Sequence, residues 1–419
     1  MSRTLGASTP EHSKGTMPLP FHLLAKPTGA DCNLQCAYCF YLEKSALYPG
    51  RRSRMGPEVL EQYIRQLFES HHGGQVTIAW QGGEPTLMGI EFYQRAVALV
   101  EEYRRPEVSV LHTMQTNGTL LDEEWARFLK KHDFLVGISL DGPRRLHNIH
   151  RVDKNGRPTF DLVMRGLRLL QKHGVEHNVL TAVNRTNSSK PLDVYRFLRD
   201  EAKTTWMQFI PVVERMGDDG YTLDPTGSRV SERSVLAEQY GKFLSGVFDE
   251  WVHHDVGQVF VTTFEATLRN WLGMRSSGMC VFDETCGRGP VLEHNGDLYS
   301  CDHFVEPSHR LGNIVDRHMA DLMTSPRQVA FGLEKWSALP RKCRECDVLF
   351  ACRGECPKNR FPTSPDGDPG VNYLCAAYKE FFHHVSFPMK LMAGLIRRGR
   401  EAREVMPLLI ENASPKPRH

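Results

Sequence analysis

The sequence lacks the features that mark a membrane, secreted or nucleic-acid-binding protein. None of its apolar runs is long enough to cross a bilayer, and residues 1–20 hold no apolar stretch that could act as a signal peptide. The 52 lysines and arginines nearly balance the 50 aspartates and glutamates, so the net charge is only +2. This balance gives no reason to expect a nucleic acid or a membrane surface as partner. We therefore expect a cytoplasmic protein with a flexible arm over residues 1–17.

Cysteine is missing between Cys39 and Cys280, and this gap separates the eleven cysteines into two groups. Three lie between Cys32 and Cys39, and the other eight lie between Cys280 and Cys375. The cytosol keeps thiols reduced, and an odd number of cysteines cannot pair completely, so a full set of disulfides is not expected. Clustered thiols in a reducing compartment usually bind metal.

The chain before the second cysteine group alternates between strand-like and helix-like segments. We predict strands at residues 21–25, 76–80, 108–115, 134–140, 177–183 and 206–211. Amphipathic helices are predicted at residues 57–70, 91–103, 122–131, 160–173, 192–201 and 231–251. Six βα units imply an α/β fold whose parallel sheet, open or curled, carries helices on its outside.

Polar motifs follow the first four predicted strands in turn. The three cysteines follow the first strand and Gly82-Gly83-Glu84-Pro85 follows the second. Thr116-Asn117-Gly118 follows the third strand and Ser139-Leu140-Asp141-Gly142 follows the fourth. Because functional groups of such folds gather at the C-terminal ends of the strands, we expect these motifs to converge on one face.

The composition changes after about residue 273, where Cys, Gly, Asp and Arg become frequent. A second domain organised by bound ligands, rather than by a large apolar core, is expected there. The predicted division is an α/β core over residues 18–250, a linking helix over 251–275, a cysteine-rich domain over 276–385, and a C-terminal helix and tail over 386–419.

The spacing of Cys32, Cys36 and Cys39 places three thiolates on one short loop. An iron–sulfur cubane usually takes four cysteines, so three would leave one iron open to a further ligand. A structural zinc site that borrows a distant ligand such as His22 is the alternative, since thiolates suit both metals.

This cysteine spacing, followed by Gly-Gly-Glu-Pro after the second strand, resembles the radical S-adenosylmethionine superfamily over residues 18–213. The resemblance implies a partial (β/α)6 barrel similar to a TIM barrel. It also implies that Cys32, Cys36 and Cys39 bind a [4Fe–4S] cluster, whose open iron binds the amino and carboxylate groups of S-adenosylmethionine.

Further residues are assigned to the cofactor by the same resemblance. Gly83 lets the backbone approach the ligand closely, and the carboxylate of Glu84 would accept a hydrogen bond from the ammonium group. Taken alone, this tetrapeptide is equally consistent with a simple turn between strand and helix. The remaining assignments are Tyr38 beside the adenine, Ser139 and Arg151 at the ribose or carboxylate, and Val213 at the border of the adenine.

The eight later cysteines would fill two sites of four thiolates each. Ligand chemistry alone leaves open whether these sites hold two zinc ions or two iron–sulfur clusters. The pattern resembles the SPASM domain of certain radical enzymes, in which both sites are [4Fe–4S] clusters. The resemblance assigns Cys280, Cys286, Cys301 and Cys356 to the cluster nearer the active site, and Cys343, Cys346, Cys352 and Cys375 to the outer cluster. Complete thiolate ligation favours a role in electron transfer.

The whole chain resembles the anaerobic sulfatase-maturating enzymes, which oxidise a Cys or Ser of a sulfatase to Cα-formylglycine (3-oxoalanine). The motifs that carry the resemblance are Gln81, residues 139–143 with His147, Asn148 and Arg151, residues 208–210, Cys301-Asp302, residues 311–314, Tyr373 and residues 378–382.

This resemblance implies a reaction in which a 5′-deoxyadenosyl radical removes a hydrogen atom from Cβ of the target residue. The substrate radical then loses a proton and an electron, and a Cys target finally exchanges its sulfur for oxygen from water. Asp302 is the expected base because it adjoins Cys301, and a carboxylate in reach can accept the proton. The alternative for an isolated aspartate is a surface or capping role. The nearer auxiliary cluster would accept the electron.

The expected partners are a sulfatase with a Cys/Ser-x-Pro-x-Arg motif and a low-potential electron donor such as ferredoxin or flavodoxin. A SPASM enzyme that crosslinks a ribosomally made peptide is the second hypothesis. Such enzymes often carry a winged-helix module that binds a leader peptide, and the stretch before Pro18 is too short for one. A zinc-binding interaction module without catalytic activity is the third. No residue decides between a Cys and a Ser target.

Overall fold

The computed structural model describes residues 21–49, 53–71, 73–216, 229–364 and 366–413. The predicted arm over residues 1–17 lies outside these ranges, and so does a loop that the Gly/Asp/Pro-rich sequence of residues 217–227 predicts. Within the described ranges, no helix is both long enough and apolar enough to cross a membrane.

Six parallel strands form the centre of the fold, in the order in which they occur in the sequence. They are β1 (Leu24–Lys26), β2 (Gln75–Trp80), β3 (Ser109–Thr116), β4 (Phe134–Ser139), β5 (His177–Val183) and β6 (Trp206–Pro211). Each pairs in parallel with the next. The predicted α/β fold with six βα units is therefore confirmed, and the bounds of β5 and β6 are those predicted.

Helices connect these strands and cover the sheet. They are α1 (Tyr41–Lys44), α2 (Pro57–Ser70), α3 (Ile90–Tyr103), α4 (Glu123–Lys131), α5 (Arg144–His150), α6 (Phe160–Lys172), α7 (Pro191–Arg196) and α8 (Ala237–His254). Local chemistry fixes several starts, for example at α4, where the Asp122 carboxylate accepts a hydrogen bond of 2.9 Å from the backbone N–H of Trp125.

The predicted start of α8 at residue 231 is wrong, because that helix begins at Ala237. The hydroxyl of Ser231 accepts hydrogen bonds of 3.2 Å from the backbone N–H groups of Arg233 and Ser234. Such serine-to-backbone bonds compete with a helical turn, and they keep this segment outside the helix.

The cysteine-rich part of the chain extends the same sheet. Its strands are β10 (Val291–Glu293), β11 (Asp297–Tyr299) and β12 (Arg310–Asn313). Three short strands precede them in the chain: β7 (Arg215–Met216) and β8 (Arg229–Val230) pair antiparallel with each other, and β9 (Phe260–Val261) pairs with β6. Strand β10 lies parallel to β1 and pairs Glu293 with Lys26, so ten strands form one sheet. Main-chain pairing thus fixes the cysteine-rich part against the barrel strands.

The later helices close the structure. They are α9 (Thr262–Trp271), α10 (Met319–Met323), α11 (Pro326–Ser337), α12 (Arg341–Arg344), α13 (Leu349–Cys352), α14 (Cys375–His384), α15 (Ser386–Arg397) and α16 (Val405–Ala413). The linking helix predicted over 251–275 is interrupted, since β9 separates the end of α8 from α9. The division into domains stays a prediction.

One continuous apolar core runs through both parts of the molecule. Phe264 lies between them, with its ring 5.2 Å from that of Phe248 in α8 and 5.8 Å from that of Phe381 in α14. All three side chains are buried. Burial of a side chain of this size stabilises a fold by about 1.5–3 kcal/mol, so these contacts help to hold the two cysteine groups in a fixed relation.

Candidate active site

A cavity opens at the C-terminal ends of the parallel strands, where the polar motifs were expected to meet. The structure brings all four motifs together on its wall. The predicted residues that line it are Cys32, Cys36, Tyr38, Cys39, Gly83, Ser139, Arg151 and Val213.

The cysteine loop follows β1 and is held by backbone hydrogen bonds to the end of α5 and the residues just after it. The N–H of Gln35 donates to the carbonyl of Val152 at 2.9 Å, and the N–H of Ala37 donates to that of His150 at 3.0 Å. Burial raises the pKa of the Cys32 thiol to about 12 and that of Cys36 to about 11. Metal binding by these thiols would therefore release their protons.

The Gly82–Pro85 turn presents its glycines to the cavity and turns its carboxylate away. Glu84 is fully buried, and its Oε1 accepts hydrogen bonds from the backbone N–H and hydroxyl of Thr86 and from the hydroxyl of Thr116. Its Oε2 accepts a bond of 2.8 Å from the N–H of Asn117. Burial raises the pKa of Glu84 although these bonds oppose the rise. The carboxylate thus ties the turn after β2 to the turn after β3.

Tyr38 and Arg151 are positioned by a buried carboxylate, Asp141. The Tyr38 hydroxyl donates to Asp141, and the Arg151 Nε lies 3.1 Å from Asp141 Oδ1. The guanidinium also lies 5.6 Å from the centre of the Tyr38 ring. Nearby, Gln115 Nε2 donates to the Ser139 hydroxyl at 3.1 Å. Asp141 therefore orders two residues that the cofactor was predicted to contact.

Asp302 lies in a buried polar network beside this cavity. Its Oδ1 is 2.7 Å from Lys26 Nζ, and its Oδ2 accepts a hydrogen bond of 2.7 Å from the Tyr41 hydroxyl. Lys26 Nζ is also 3.1 Å from Glu293 Oε1. Tyr41 and Gln81 line the cavity, and Gln81 Nε2 donates to the Tyr41 hydroxyl at 3.4 Å. Asp302 is thus linked to the cavity through Tyr41.

The ion pair decides the charge state of this network. Burial alone would raise the pKa of Asp302, but Lys26 outweighs it and holds that pKa below its usual value. Burial alone would likewise lower the pKa of Lys26, and attraction to Asp302 and Glu293 instead raises it. Asp302 is therefore ionised at neutral pH and able to accept a proton.

The electrostatic couplings among the eight later thiols fall into two sets of four. Burial is the main cause of the raised pKa values of Cys280, Cys286, Cys301, Cys343, Cys352, Cys356 and Cys375, and negative charge on neighbouring thiols adds to most of them. Within the first group, Cys280 and Cys286 raise the pKa of Cys301, while Cys301 and Cys280 raise that of Cys356. Within the second group, Cys375 and Cys346 raise the pKa of Cys343, and Cys375 and Cys343 raise that of Cys352. Cys346 raises the pKa of Cys375.

Comparison with known proteins bears on the identity of this arrangement. The Radical SAM superfamily matches residues 27–198, and the iron-sulfur cluster-binding SPASM domain matches residues 286–347. A serine-type anaerobic sulfatase-maturating enzyme of Bacteroides thetaiotaomicron is 44% identical over 380 residues, which cover 89% of this chain and 91% of that protein. The chain belongs to the anaerobic sulfatase-maturating enzymes.

A second relative and a solved structure place the chain in the same family. A cysteine-type anaerobic sulfatase-maturating enzyme of Clostridium perfringens is 35% identical over 379 residues, 88% of this chain and 97% of that protein. The solved structure of native anSMEcpe with bound AdoMet and Cp18Cys peptide matches with a TM-score of 0.80 at 33% identity, over 90% of this chain and all of that chain. The chain is thus an S-adenosylmethionine-dependent oxidoreductase that generates Cα-formylglycine in a sulfatase, and its cofactors are S-adenosylmethionine and three [4Fe–4S] clusters.

The donor sets of this sulfatase-maturating enzyme fit such clusters. Two groups of four thiols offer the ligands of a complete cubane, and the group of three leaves one position open. His22, the alternative zinc ligand, precedes β1 and lies at the other end of that strand.

Among the polar residues of the site that received no role from the sequence are Lys26, Tyr41, Asp141 and His303. Lys26 ends β1, and the rule that functional groups follow strand ends could have found it. Tyr41 closely follows the last cysteine of the loop, and His303 follows Asp302. Burial lowers the pKa of His303 to about 4, and the positive charge of Lys358 adds to this effect, so its imidazole is neutral at pH 7.

Proposed function

We propose that this enzyme oxidises the Cys or Ser of a Cys/Ser-x-Pro-x-Arg segment in a sulfatase, using electrons from a ferredoxin or flavodoxin. The family relationship supports a sulfatase substrate, and the relatives named above include both a serine-type and a cysteine-type enzyme. The observation that carries the chemistry is the Tyr41–Asp302 hydrogen bond of 2.7 Å, because it connects the cavity to an ionised carboxylate next to a thiol of the first auxiliary group.

The three thiol groups hold clusters with different tasks in this proposal. Cys32, Cys36 and Cys39 hold the cluster that binds S-adenosylmethionine, since they line the cavity. The auxiliary clusters take Cys280, Cys286, Cys301 and Cys356, and Cys343, Cys346, Cys352 and Cys375. When bound, these groups supply the 5′-deoxyadenosyl radical that removes a hydrogen atom from Cβ of the target, and a sink for the electron that leaves afterwards.

The cavity wall binds and orients S-adenosylmethionine. Tyr38 and Val213 flank the adenine, Ser139 and Arg151 bind the ribose or carboxylate, and the Gly83–Glu84 turn holds the ammonium group. The network around Asp141 supports this assignment, because it fixes Tyr38 and Arg151 before any ligand arrives. At the turn, the contact falls to the backbone at Gly83, since the carboxylate of Glu84 is already occupied by protein donors.

Asp302 receives the proton that the substrate radical releases. The side chain –CH•–XH becomes –CH=X, where X is sulfur or oxygen, with loss of one proton and one electron. A carboxylate oxygen can accept two hydrogen bonds, so each oxygen of Asp302 keeps one free acceptor position beside Lys26 and Tyr41. The proton reaches Asp302 along the Tyr41 hydroxyl, which lines the cavity and donates a hydrogen bond to the carboxylate.

An anaerobic assay with paired peptides tests this function. The loaded enzyme is incubated with S-adenosylmethionine, dithionite and a sulfatase-derived peptide whose target is Cys, Ser or Ala, and products are identified by mass spectrometry. We expect the mass of formylglycine from the Cys or Ser peptide, and none from the Ala peptide. Cleavage of S-adenosylmethionine with no change in either peptide would contradict the proposal. Replacing dithionite with reduced flavodoxin or ferredoxin then tests the donor.

A further inference from the structure

His303 lies between the cavity and the first auxiliary thiol group. Its imidazole lines the cavity together with Phe40 and Lys358. On its other side, its Nδ1 is 3.4 Å from the sulfur of Cys356. One side chain therefore contacts both the space for the substrate and a predicted cluster ligand.

The imidazole is held in place by its surroundings. It belongs to a short helical turn, Asp302–Phe304, in which the N–H of Phe304 donates to the carbonyl of Cys301 at 3.0 Å. The rings of His303 and Phe40 pack edge to face, with their centres 6.0 Å apart. Because Cys356 is buried, water does not replace this contact, and a hydrogen bond in such surroundings is stronger than one in solvent.

The direction of the hydrogen bond follows from the chemistry of its partners. A cysteine that ligates iron is a thiolate and can only accept, so the Nδ1–H of His303 donates to Cys356 Sγ. A donated hydrogen bond withdraws negative charge from the sulfur. The reduction potential of an iron–sulfur cluster depends on hydrogen bonds to its sulfurs, and a donor stabilises the more negative, reduced state.

We infer that His303 acts through Cys356 to raise the reduction potential of the auxiliary cluster nearer the cavity, and so favours removal of the electron from the substrate radical. This inference rests on the proposed assignment of Cys356 as a ligand of that cluster. His303 is a tuning residue in this role, since it acts through a ligand and does not itself exchange the electron.

Redox titration of two variants provides the test. His303→Phe keeps a ring beside Phe40 and removes the donor, whereas His303→Asn keeps an N–H near the position of Nδ1. The titration is followed by electron paramagnetic resonance in a background where Cys32, Cys36 and Cys39 are Ala, so that only the auxiliary clusters contribute. His309→Phe is the matched control, because His309 follows in the same segment and contacts Phe304 and Phe331.

We expect one of the two auxiliary transitions to move to lower potential in His303→Phe. A tenfold weaker preference for the reduced state corresponds to about 59 mV for one electron. The potentials of His303→Asn should stay close to those of the parent, and His309→Phe should leave both potentials unchanged. With the SAM-binding cysteines restored, His303→Phe should also yield less formylglycine per 5′-deoxyadenosine.

The outcomes separate this inference from the proposed function. If both auxiliary transitions are present and neither moves in His303→Phe, the inference on His303 is wrong while the cluster assignment stands. If His303→Asn shifts as far as His303→Phe, ring packing rather than the hydrogen bond is responsible, and the inference is again wrong. If the parent contains no auxiliary iron or sulfide, both the cluster assignment and the inference fail.

Discussion

The Nζ atom of Lys26, at the end of β1, lies 2.7 Å from Oδ1 of Asp302, in the turn that follows β11 and Cys301. Glu293 lies 3.1 Å from the same nitrogen, and all three side chains are buried. One cation therefore faces two carboxylates. The attraction of Lys26 keeps Asp302 ionised in the resting enzyme, so the carboxylate can accept a proton during turnover.

Substitution of Lys26 by Met should destabilise the enzyme and impair product formation. Loss of one partner from a buried ion pair typically costs about 3–5 kcal/mol, because the remaining charge is left without compensation. We expect a lower free energy of unfolding in anaerobic urea titrations. Lys26→Arg, which keeps the charge, is the control, and its free energy of unfolding should fall less. An equal free energy of unfolding for Lys26→Met and the parent would show that the ion pair does not stabilise the fold.

The same substitution should change the response to pH. Lys26 holds the pKa of Asp302 below its usual value, so the carboxylate stays ionised until the pH falls below that of ordinary aspartates. Without the lysine, burial raises the pKa, and the acid limb of formylglycine formation should move to higher pH. A pH–rate profile of any soluble Lys26→Met protein measures this shift, and an unmoved acid limb would argue against it.

Asp302→Asn should separate cleavage of the cofactor from formation of the product. The amide keeps the size of the side chain and loses the ability to accept the proton, and a positioned general base typically contributes a factor of about 100 or more. We expect 5′-deoxyadenosine at a rate near that of the parent and formylglycine at least roughly 100-fold slower. Both products are quantified in the same anaerobic reaction. Formylglycine at the parental rate would exclude Asp302 as the base.

Local patterns in the sequence predicted the strands and helices of the α/β core, because the signals of each element lie within its own residues. Apolar runs such as His177–Val183 and Trp206–Pro211 lie between amphipathic helices, and both strands have the predicted bounds. The pairing of β1 with β10 could not be predicted, since each has only three residues and their register depends on contacts far apart in the chain. That pairing is what aligns Glu293 with Lys26.

The site could be predicted only where its residues lie in recognisable motifs. Asp302 was found because it adjoins Cys301, whereas its partner Lys26 is a single lysine without a motif. Glu84 was expected to face the cofactor, but the donors on Thr116 and Asn117 reach it only because β2 and β3 pair side by side. The pairing of the strands thus decides which groups of a motif are free to contact the cofactor.

Gly83→Ala should disturb the cysteine loop itself. A Cβ at this position would lie 2.0 Å from the carbonyl oxygen of Asp31, which immediately precedes Cys32. The same oxygen accepts a hydrogen bond of 2.9 Å from the N–H of Glu84, so the two segments cannot separate without losing it. A displacement of about 1 Å can cost a factor of about 100 in rate.

We therefore expect Gly83→Ala to cleave S-adenosylmethionine roughly 100-fold more slowly, as measured by 5′-deoxyadenosine. The control is Gly56→Ala, because a Cβ at Gly56 meets no atom within 4 Å. Equal rates for Gly83→Ala and Gly56→Ala would mean that the turn accommodates the added methyl group.

His147 should make the enzyme sensitive to mild acid. It is fully buried, its Nδ1 accepts a hydrogen bond of 3.4 Å from the N–H of Asp141, and its Nε2 lies 3.2 Å from the Thr159 hydroxyl. Burial lowers its pKa from about 6.5 to about 4. Above pH 6.5 the imidazole is neutral in both the folded and the unfolded chain. Below it the unfolded chain binds a proton that the folded chain does not, so stability falls as the pH drops towards 4.

Between pH 7 and pH 5, this single group should cost the folded enzyme about 2 kcal/mol, since each pH unit below 6.5 changes the balance by about 1.4 kcal/mol. His147→Gln has no titrating ring and should lose correspondingly less stability over the same range. Urea titrations followed by tryptophan fluorescence, run anaerobically at several pH values, measure the difference between the two curves. His253→Gln, at an exposed position, controls for the general effect of acid on the clusters. If the curves of His147→Gln and the parent stay parallel from pH 7 to pH 5, the buried imidazole is protonated in the folded state after all.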